Sequence, residues 1–158
     1  MSSTNIAKQI EATLGDSWLP RLYRQRVLKI RNRSYHFGNL PRKARIEIHH
    51  TLLGVELKIG RRRLLCPDLA TARYLAVFAQ AGCPDVAIPY DITQVAWIAD
   101  ELESSWQRML LLIDHGATGR ALRARIRGRL IAKLRSEVAA AGAGTPIPQF
   151  KQSTKQRR

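Results

Sequence analysis

The segment that decides the fold class is ARIEIHHTLLGVELKIGRRRLLC, residues 44–66. Apolar and polar residues alternate within ARIEIHH and again within GVELKIG, and RRLLC follows a turn at Gly60. Alternation with a period of two is typical of strands that bury one face and expose the other. The segment therefore predicts an antiparallel β-meander of three strands.

Helical patterns lie on both sides of this segment. Apolar residues recur every three or four positions in four stretches, and Pro20 suits the first turn of a fifth, for which a strand from Arg26 onward is the alternative. Residues 86–90 form a short apolar run that is a candidate extension of the meander. We therefore predict an α+β fold in which a small antiparallel β-meander is packed by four or five helices. The predicted helices cover residues 4–14, 18–34, 68–81, 93–113 and 120–140.

The chain of 158 residues is long enough for one domain with its own hydrophobic core. We assign residues 1–141 to this single α+β domain. Residues 142–158 combine Gly, Pro and Thr with basic side chains, a composition that predicts a flexible, disordered basic tail.

Cysteine content and hydropathy bear on the compartment. The two cysteines are too few for a disulfide framework and are not spaced as zinc ligands, which favours free thiols in a reducing compartment. The first 15 residues lack the apolar core of a signal peptide, and the apolar runs are far shorter than a membrane span. We expect a cytoplasmic protein, bacterial in style, with no membrane partner.

Positive charge dominates the chain and is segregated along it. There are 27 Lys and Arg residues against 12 Asp and Glu, a formal net charge of +15. Residues 21–63 hold 13 basic residues against Glu47 and Glu56, and residues 120–135 hold seven basic residues and no acid. Basic blocks without acids repel internally, and phosphates relieve that repulsion while they release condensed counterions. The pattern therefore predicts a partner that is nucleic acid, DNA or RNA.

The expected contacts are with the phosphate backbone, because guanidinium groups bind phosphate in a bidentate manner. Tyr35 and Phe37 are candidates for base stacking, with a place in the core of a short strand as the favoured alternative. The candidate nucleic-acid-binding residues are Arg31, Arg33, Arg42, Lys43, Arg61, Arg62, Arg63, Arg120, Arg123, Arg125, Arg127 and Arg129.

A catalytic alternative comes from Glu56-Leu57-Lys58, an acid and a lysine two positions apart on a predicted strand, preceded by Glu47 on the strand before it. With the helix and strand that follow, residues 46–90 resemble the PD-(D/E)xK nuclease superfamily in its Holliday-junction-resolvase style. The resemblance implies that Glu47 and Glu56 bind Mg²⁺ and that Lys58 assists the attacking nucleophile. The alternative to this resemblance is that no cofactor is bound and that Glu47 and Glu56 balance nearby cations on a solvent-exposed face.

A third hypothesis is a structural or assembly protein. The predicted helix over residues 93–113 exposes Asp100, Glu101 and Glu103, an acidic surface that is suited to a basic helix of a partner or of a second copy. This hypothesis predicts a homo-oligomer that forms without nucleic acid.

Overall fold

A computed structural model describes residues 2–41 and 43–145 of the chain. Its helices and antiparallel strands confirm the predicted α+β class, and its five α-helices agree with the predicted four or five. A 3₁₀ turn, Gly15–Ser17, precedes the second helix, and a π-helical segment, Tyr23–Val27, continues it. The helices are α1 (Ser3–Leu14), α2 (Leu19–Leu22), α3 (Leu69–Ala81), α4 (Ile92–Gly116) and α5 (Arg120–Ala141). The strands are β1 (Asn32–His36), β2 (Ile46–Thr51), β3 (Gly54–Ile59), β4 (Arg62–Cys66) and β5 (Asp85–Pro89).

The predicted meander is confirmed as the three-stranded sheet β2-β3-β4. Leu57 pairs with Ile48 on one side and with Leu64 on the other, so the apolar residues of the three strands share one face. This face packs on α3, and Leu57 and Ile59 are fully buried there. The opposite face points to solvent and carries the charged residues of the alternating pattern.

The predicted extension of the meander by residues 86–90 is wrong, because β5 pairs with β1 in a separate two-stranded sheet. The helix predicted through residues 18–34 is also wrong beyond Val27, since Asn32–His36 form the partner strand. Pairing with the buried Val86, Ala87 and Ile88 overrides the local pattern of residues 28–34. Whether these residues form a helix or a strand depends on pairing with residues more than 50 positions away. A local sequence pattern carries no information about that pairing.

The outer edges of the β1–β5 sheet are completed by groups that are not strands. Ser34 and Ala87 pair with each other but turn their amides away from the partner strand. The amide of Ser34 donates to the carbonyl of Thr145 at 2.9 Å, and the amide of Ala87 donates to the Tyr23 hydroxyl at 2.8 Å. The Tyr74 hydroxyl donates to the carbonyl of Ala87. Buried backbone groups require such partners, so these side chains stabilise the sheet inside the core.

Gly142–Thr145, the first residues of the predicted tail, lie against the body of the protein. The Tyr23 hydroxyl donates to the carbonyl of Gly142 at 2.6 Å, and the amide of Thr145 donates to the side-chain oxygen of Asn32 at 3.1 Å. Gly144 has φ +80° and passes so close to Asn32 and Ala87 that a side chain there would overlap both. The rest of the predicted tail, residues 146–158, lies outside the described residues.

The helices begin and end where capping chemistry places them. Asp68 caps α3 by accepting from the amide of Thr71, and Gly82, in the left-handed conformation, ends it. The helix α5 packs on α1 through a buried stripe of Ile126, Leu130, Leu134 and Val138.

Among residues 2–41 and 43–145, no helix has the length and hydropathy needed to cross a membrane.

Cys66 and Cys83 are buried free thiols. Burial raises the pKa of Cys83 to about 12 and raises the pKa of Cys66 above its ordinary value. A thiol that stays protonated is a poor nucleophile, so both side chains act as small apolar core residues.

Replacing Tyr23 by Phe should lower the free energy of unfolding by about 1–3 kcal/mol at neutral pH, because buried groups of Ala87 and Gly142 lose their partner. Burial also raises the pKa of Tyr23 from 10.0 to about 12. The unfolded chain therefore releases this proton at lower pH than the folded chain, and stability falls as pH rises from about 10 to about 12. The variant should show a shallower alkaline decline in urea denaturation. The half-exposed Tyr90→Phe serves as control, and a decline as steep as that of the wild type in Tyr23→Phe would contradict the assignment.

Replacing Gly144 by Ala should destabilise the protein by about 1–3 kcal/mol, because the added Cβ meets Asn32 and Ala87 and the backbone has positive φ. Gly119→Ala is a matched control, since Gly119 has φ +89° and no neighbour within 4 Å of the added Cβ. The difference between the two variants in thermal unfolding isolates the steric contact. Equal losses would show that Gly144 is not packed against the sheet.

Candidate functional site

The turn between β3 and β4 presents the predicted Arg61–Arg63 cluster in two directions. Gly60 has φ +61°, which the turn requires, and its amide donates to the carbonyl of Arg45 at 2.9 Å, which extends the β2–β3 pairing by one residue. Arg61 lies on the turn and Arg63 pairs with Lys58 across the outer face, and both arginines are exposed. Arg62 lies on the other side of β4, where its guanidinium donates to the carbonyl of Phe37. Arg61 and Arg63 are therefore available to a ligand, whereas Arg62 also holds the loop after β1.

The three residues of the nuclease resemblance share the outer face of the meander. Glu47 lies opposite Lys58, and Glu56 lies opposite His49, one pair further along the same face. The carboxylate of Glu47 is 3.3 Å from Arg45 Nε and 3.3 Å from His49 Nε2, an arrangement typical of surface charge balance. Within the described residues, no group of three or more His, Cys, Asp or Glu side chains is arranged to hold a metal ion. The Mg²⁺ site implied by the resemblance stays a prediction.

Helix α5 carries the second basic block on its exposed surface. Its predicted arginines are exposed except Arg123, which is half-buried beside the apolar stripe. Arg123 and Arg127 are four positions apart, as are Arg125 and Arg129, so like charges are neighbours on the helix surface. The helix begins at Gly119 without a side-chain cap and without an acid in its first turn. Arginines at the positive end of the helix dipole add to the repulsion, so α5 is an electrostatically unfavourable helix in the absence of an anion.

The remaining predicted cations lie around β1. The guanidinium carbon of Arg31 lies 4.8 Å from the centre of the Tyr90 ring, a cation–π contact at the surface. Arg33 is half-buried on β1, and Lys43 is exposed with φ 57° in the loop before β2. Arg42 lies outside the described residues.

The aromatic candidates for base stacking belong to the packed interior. Phe37 is fully buried, and the Tyr35 ring meets it edge-on with the ring centres 5.0 Å apart. Burial raises the pKa of Tyr35 above its ordinary value. The favoured alternative, a place in the core, is therefore confirmed for Phe37, and Tyr35 is half-buried beside it.

The acids of α4 are engaged inside the chain. Glu101 accepts from Arg26 Nε at 3.2 Å, and the guanidinium of Arg73 contacts both Asp100 and Glu103. The hydrogen bonds that Arg73 donates to Glu103 and Asp100 raise the pKa of Arg73 above its ordinary value. These acids therefore neutralise Arg26 and Arg73 and none of the candidate arginines. Sequence spacing did not indicate these contacts within the chain, and the homo-oligomer of the third hypothesis stays a prediction.

Sequence reasoning missed a group of exposed leucines on the meander. Leu52 and Leu53 form the turn between β2 and β3 and are 107% and 83% exposed. Leu65, on the outer face of β4, is 63% exposed. The signal was present in the sequence, since turns of this kind favour Gly, Asn and Asp rather than two leucines.

Comparisons with protein-family models, with curated proteins and with solved structures find no match for this chain.

The repulsion within α5 predicts how the stability of the free protein depends on salt. Raising NaCl from about 50 mM to about 500 mM screens exposed charges, so the midpoint of thermal unfolding should rise by a few degrees. The variant Arg123→Gln/Arg127→Gln should unfold at a higher temperature than the wild type in low salt and gain less from added salt. A wild-type midpoint that falls with salt would mean that attractive pairs dominate instead.

Proposed function

We propose that this protein binds nucleic acid through the phosphate backbone, using two groups of cations. The α5 arginines are Arg120, Arg123, Arg125, Arg127 and Arg129, and the sheet-end cations are Lys58, Arg61 and Arg63. One observation carries the proposal. Within the described residues, none of these eight side chains lies within 4.0 Å of a carboxylate, whereas Arg26, Arg45, Arg73 and Lys133 all have acidic partners.

The segregation of partnered from unpartnered cations argues against a purely structural role for the basic surplus. Three of the four partnered cations join elements: Arg26 and Arg73 bind α4, and Lys133 donates to Glu11 of α1 at 2.6 Å. The α5 arginines join no elements through carboxylates, and they weaken the helix that carries them. A side chain that weakens its own helix contributes to function through a ligand of opposite charge.

The charge density of α5 suits a polyanion. Arg129 is nine positions after Arg120, which is about 13.5 Å along the helix axis. Duplex DNA carries one negative charge per about 1.7 Å of its axis, so this length of α5 corresponds to about eight phosphates of a duplex. Each contact releases counterions, and the affinity must therefore fall steeply as salt rises.

Backbone binding of this kind does not depend on base sequence. Arginine and lysine contacts to phosphates position a nucleic acid, whereas contacts to base edges select a sequence. The α5 arginines and sheet-end cations lie on elements that are charged rather than aromatic at their surface. The proposed activity is therefore binding of nucleic acid with little sequence preference from these two groups.

Replacing Arg125 and Arg129, which are exposed on the same side of α5, together by Gln should weaken binding to a labelled duplex and flatten its salt dependence. Loss of two phosphate contacts should reduce the slope of log K against log salt by about 1.4–1.8. The measurement is fluorescence anisotropy at several NaCl concentrations between about 50 and about 300 mM, where the wild type should lose affinity strongly.

Arg26→Gln is the control, because it removes one charge, half of that removed in the double variant, from an arginine that already has Glu101 as partner. Its slope should equal that of the wild type. The proposal is overturned if wild-type affinity stays flat across this salt range, or if Arg26→Gln flattens the salt dependence by half as much as the double variant does.

A further inference from the structure

The β2–β3 hairpin projects from the body of the protein. Every residue from His49 to Gly54 is exposed, and the last cross-strand pair, Thr51 with Gly54, lies beyond the end of β4. Leu52 and Leu53 form the turn, and Leu65 lies behind them, with one methyl group 3.8 Å from where a Gly54 side chain would begin. We call these three leucines the leucine tip.

Folding does not explain the two leucines of the turn. The Thr51 hydroxyl donates to the carbonyl of Gly54 at 3.1 Å and accepts from the amide of Leu53 at 3.2 Å, so Thr51 holds the turn. Gly54 supplies the positive φ, at +132°. Leu52 and Leu53 contribute no buried area to the core and occupy positions where polar turn residues are usual. Residues that break a local rule without a structural gain mark a contact surface.

The charges around the tip indicate what it contacts. Residues 46–55 contain no Lys or Arg, and the nearest such residues of the outer face, Arg45, Lys58 and Arg63, lie at the base of the hairpin. Lys58 is five positions from Leu53, which is about 16 Å of strand. An uncharged apolar tip thus projects ahead of a cationic base. A surface that is complementary to this hairpin has an uncharged floor and anionic rims.

The major groove of duplex DNA has this arrangement. It is about 12 Å wide and about 8.5 Å deep, it admits a two-stranded β-ribbon, and phosphates line its rims. Glu47 has Arg45 3.3 Å away, and Glu56 is three positions, or about 10 Å of strand, from Leu53, so neither carboxylate enters a groove about 8.5 Å deep.

Leucine makes no hydrogen bonds, so only an apolar group on a base edge can favour it in a groove. The C5 methyl of thymine is such a group in the major groove, whereas RNA carries uracil and has a deep, narrow major groove that side chains do not read. We propose that the leucine tip enters the major groove of duplex DNA and contacts thymine methyl groups. This inference rests on the proposed function and adds to it a preference for DNA over RNA and for A·T base pairs.

The test compares two DNA duplexes of one A·T-rich sequence, one with thymidine and one with deoxyuridine at every thymidine position. Wild-type protein should bind the thymidine duplex about fourfold more tightly, the effect expected for one buried methyl-sized group. Leu52→Ser/Leu53→Ser should bind both duplexes equally, with the salt dependence of the wild type. Leu111→Ser, at an exposed leucine of α4, is the control and should keep the thymidine preference.

The outcomes separate this inference from the proposed function. Equal, salt-dependent wild-type affinity for the two DNA duplexes overturns the role of the leucine tip and leaves phosphate binding in place. Absence of salt-dependent binding to any nucleic acid removes both. Vesicles of phosphatidylserine and phosphatidylcholine form a further arm. Wild-type binding to them that is lost in Leu52→Ser/Leu53→Ser, with no thymidine preference, overturns the DNA assignment in favour of a lipid surface.

Discussion

β1 and β5 form a two-stranded sheet inside the protein, where every amide and carbonyl must find a partner within the chain. Five segments distant in sequence supply those partners. β1 and β5 pair with each other, Tyr23 and Tyr74 complete the outer edge at Ala87, and Thr145 completes the other edge at Ser34. Because Tyr23 also donates to the carbonyl of Gly142, one hydroxyl joins the π-helical segment, the sheet and the chain after α5. α4, α5 and the π-helical segment pack against β5, and loss of one partner leaves a backbone group without a hydrogen bond in an apolar environment.

This junction explains which parts of the fold the sequence predicts. The meander and the helices α3, α4 and α5 are local structures with strong periodicity, and their approximate bounds follow from alternation, capping residues and glycine stops. β1 and β5 depend on each other across about fifty positions and carry weak local signals. Residues 28–34 continue an apparent helical pattern, yet the chain leaves the helix at Val27 because the buried Val86–Ile88 edge requires a strand. Tyrosine hydroxyls that serve as backbone partners leave no pattern in the sequence at all.

In the candidate site, too, the sequence predicts what depends on local composition and does not predict what depends on long-range contacts. Segregated charge along the chain indicates the two basic blocks, and α5 exposes its block as a helical surface. The sequence does not tell which cations are already neutralised. Arg26 belongs to the first block but is bound to Glu101 from 75 positions away, and Arg62 turns toward the carbonyl of Phe37 while Arg61 and Arg63 face outward. Only the tertiary structure separates arginines that hold the fold from arginines that remain without an acidic partner among the described residues.

The alternating pattern of the meander gives its two faces different roles. The inner face, with Leu57 and Ile59 against α3, satisfies the hydrophobic effect and fixes the register, because a slip by one residue would expose both side chains. The register in turn sets Glu47, Lys58 and Arg63 in one row and His49, Glu56 and Leu65 in the next. The packing of the inner face therefore also fixes the geometry of the outer face. Its composition is therefore less constrained by the core than that of the inner face. In α5 the buried stripe likewise fixes the helix, and among its arginines Arg129 adds a hydrogen bond from its Nε to the Ser3 hydroxyl of α1 at 3.0 Å.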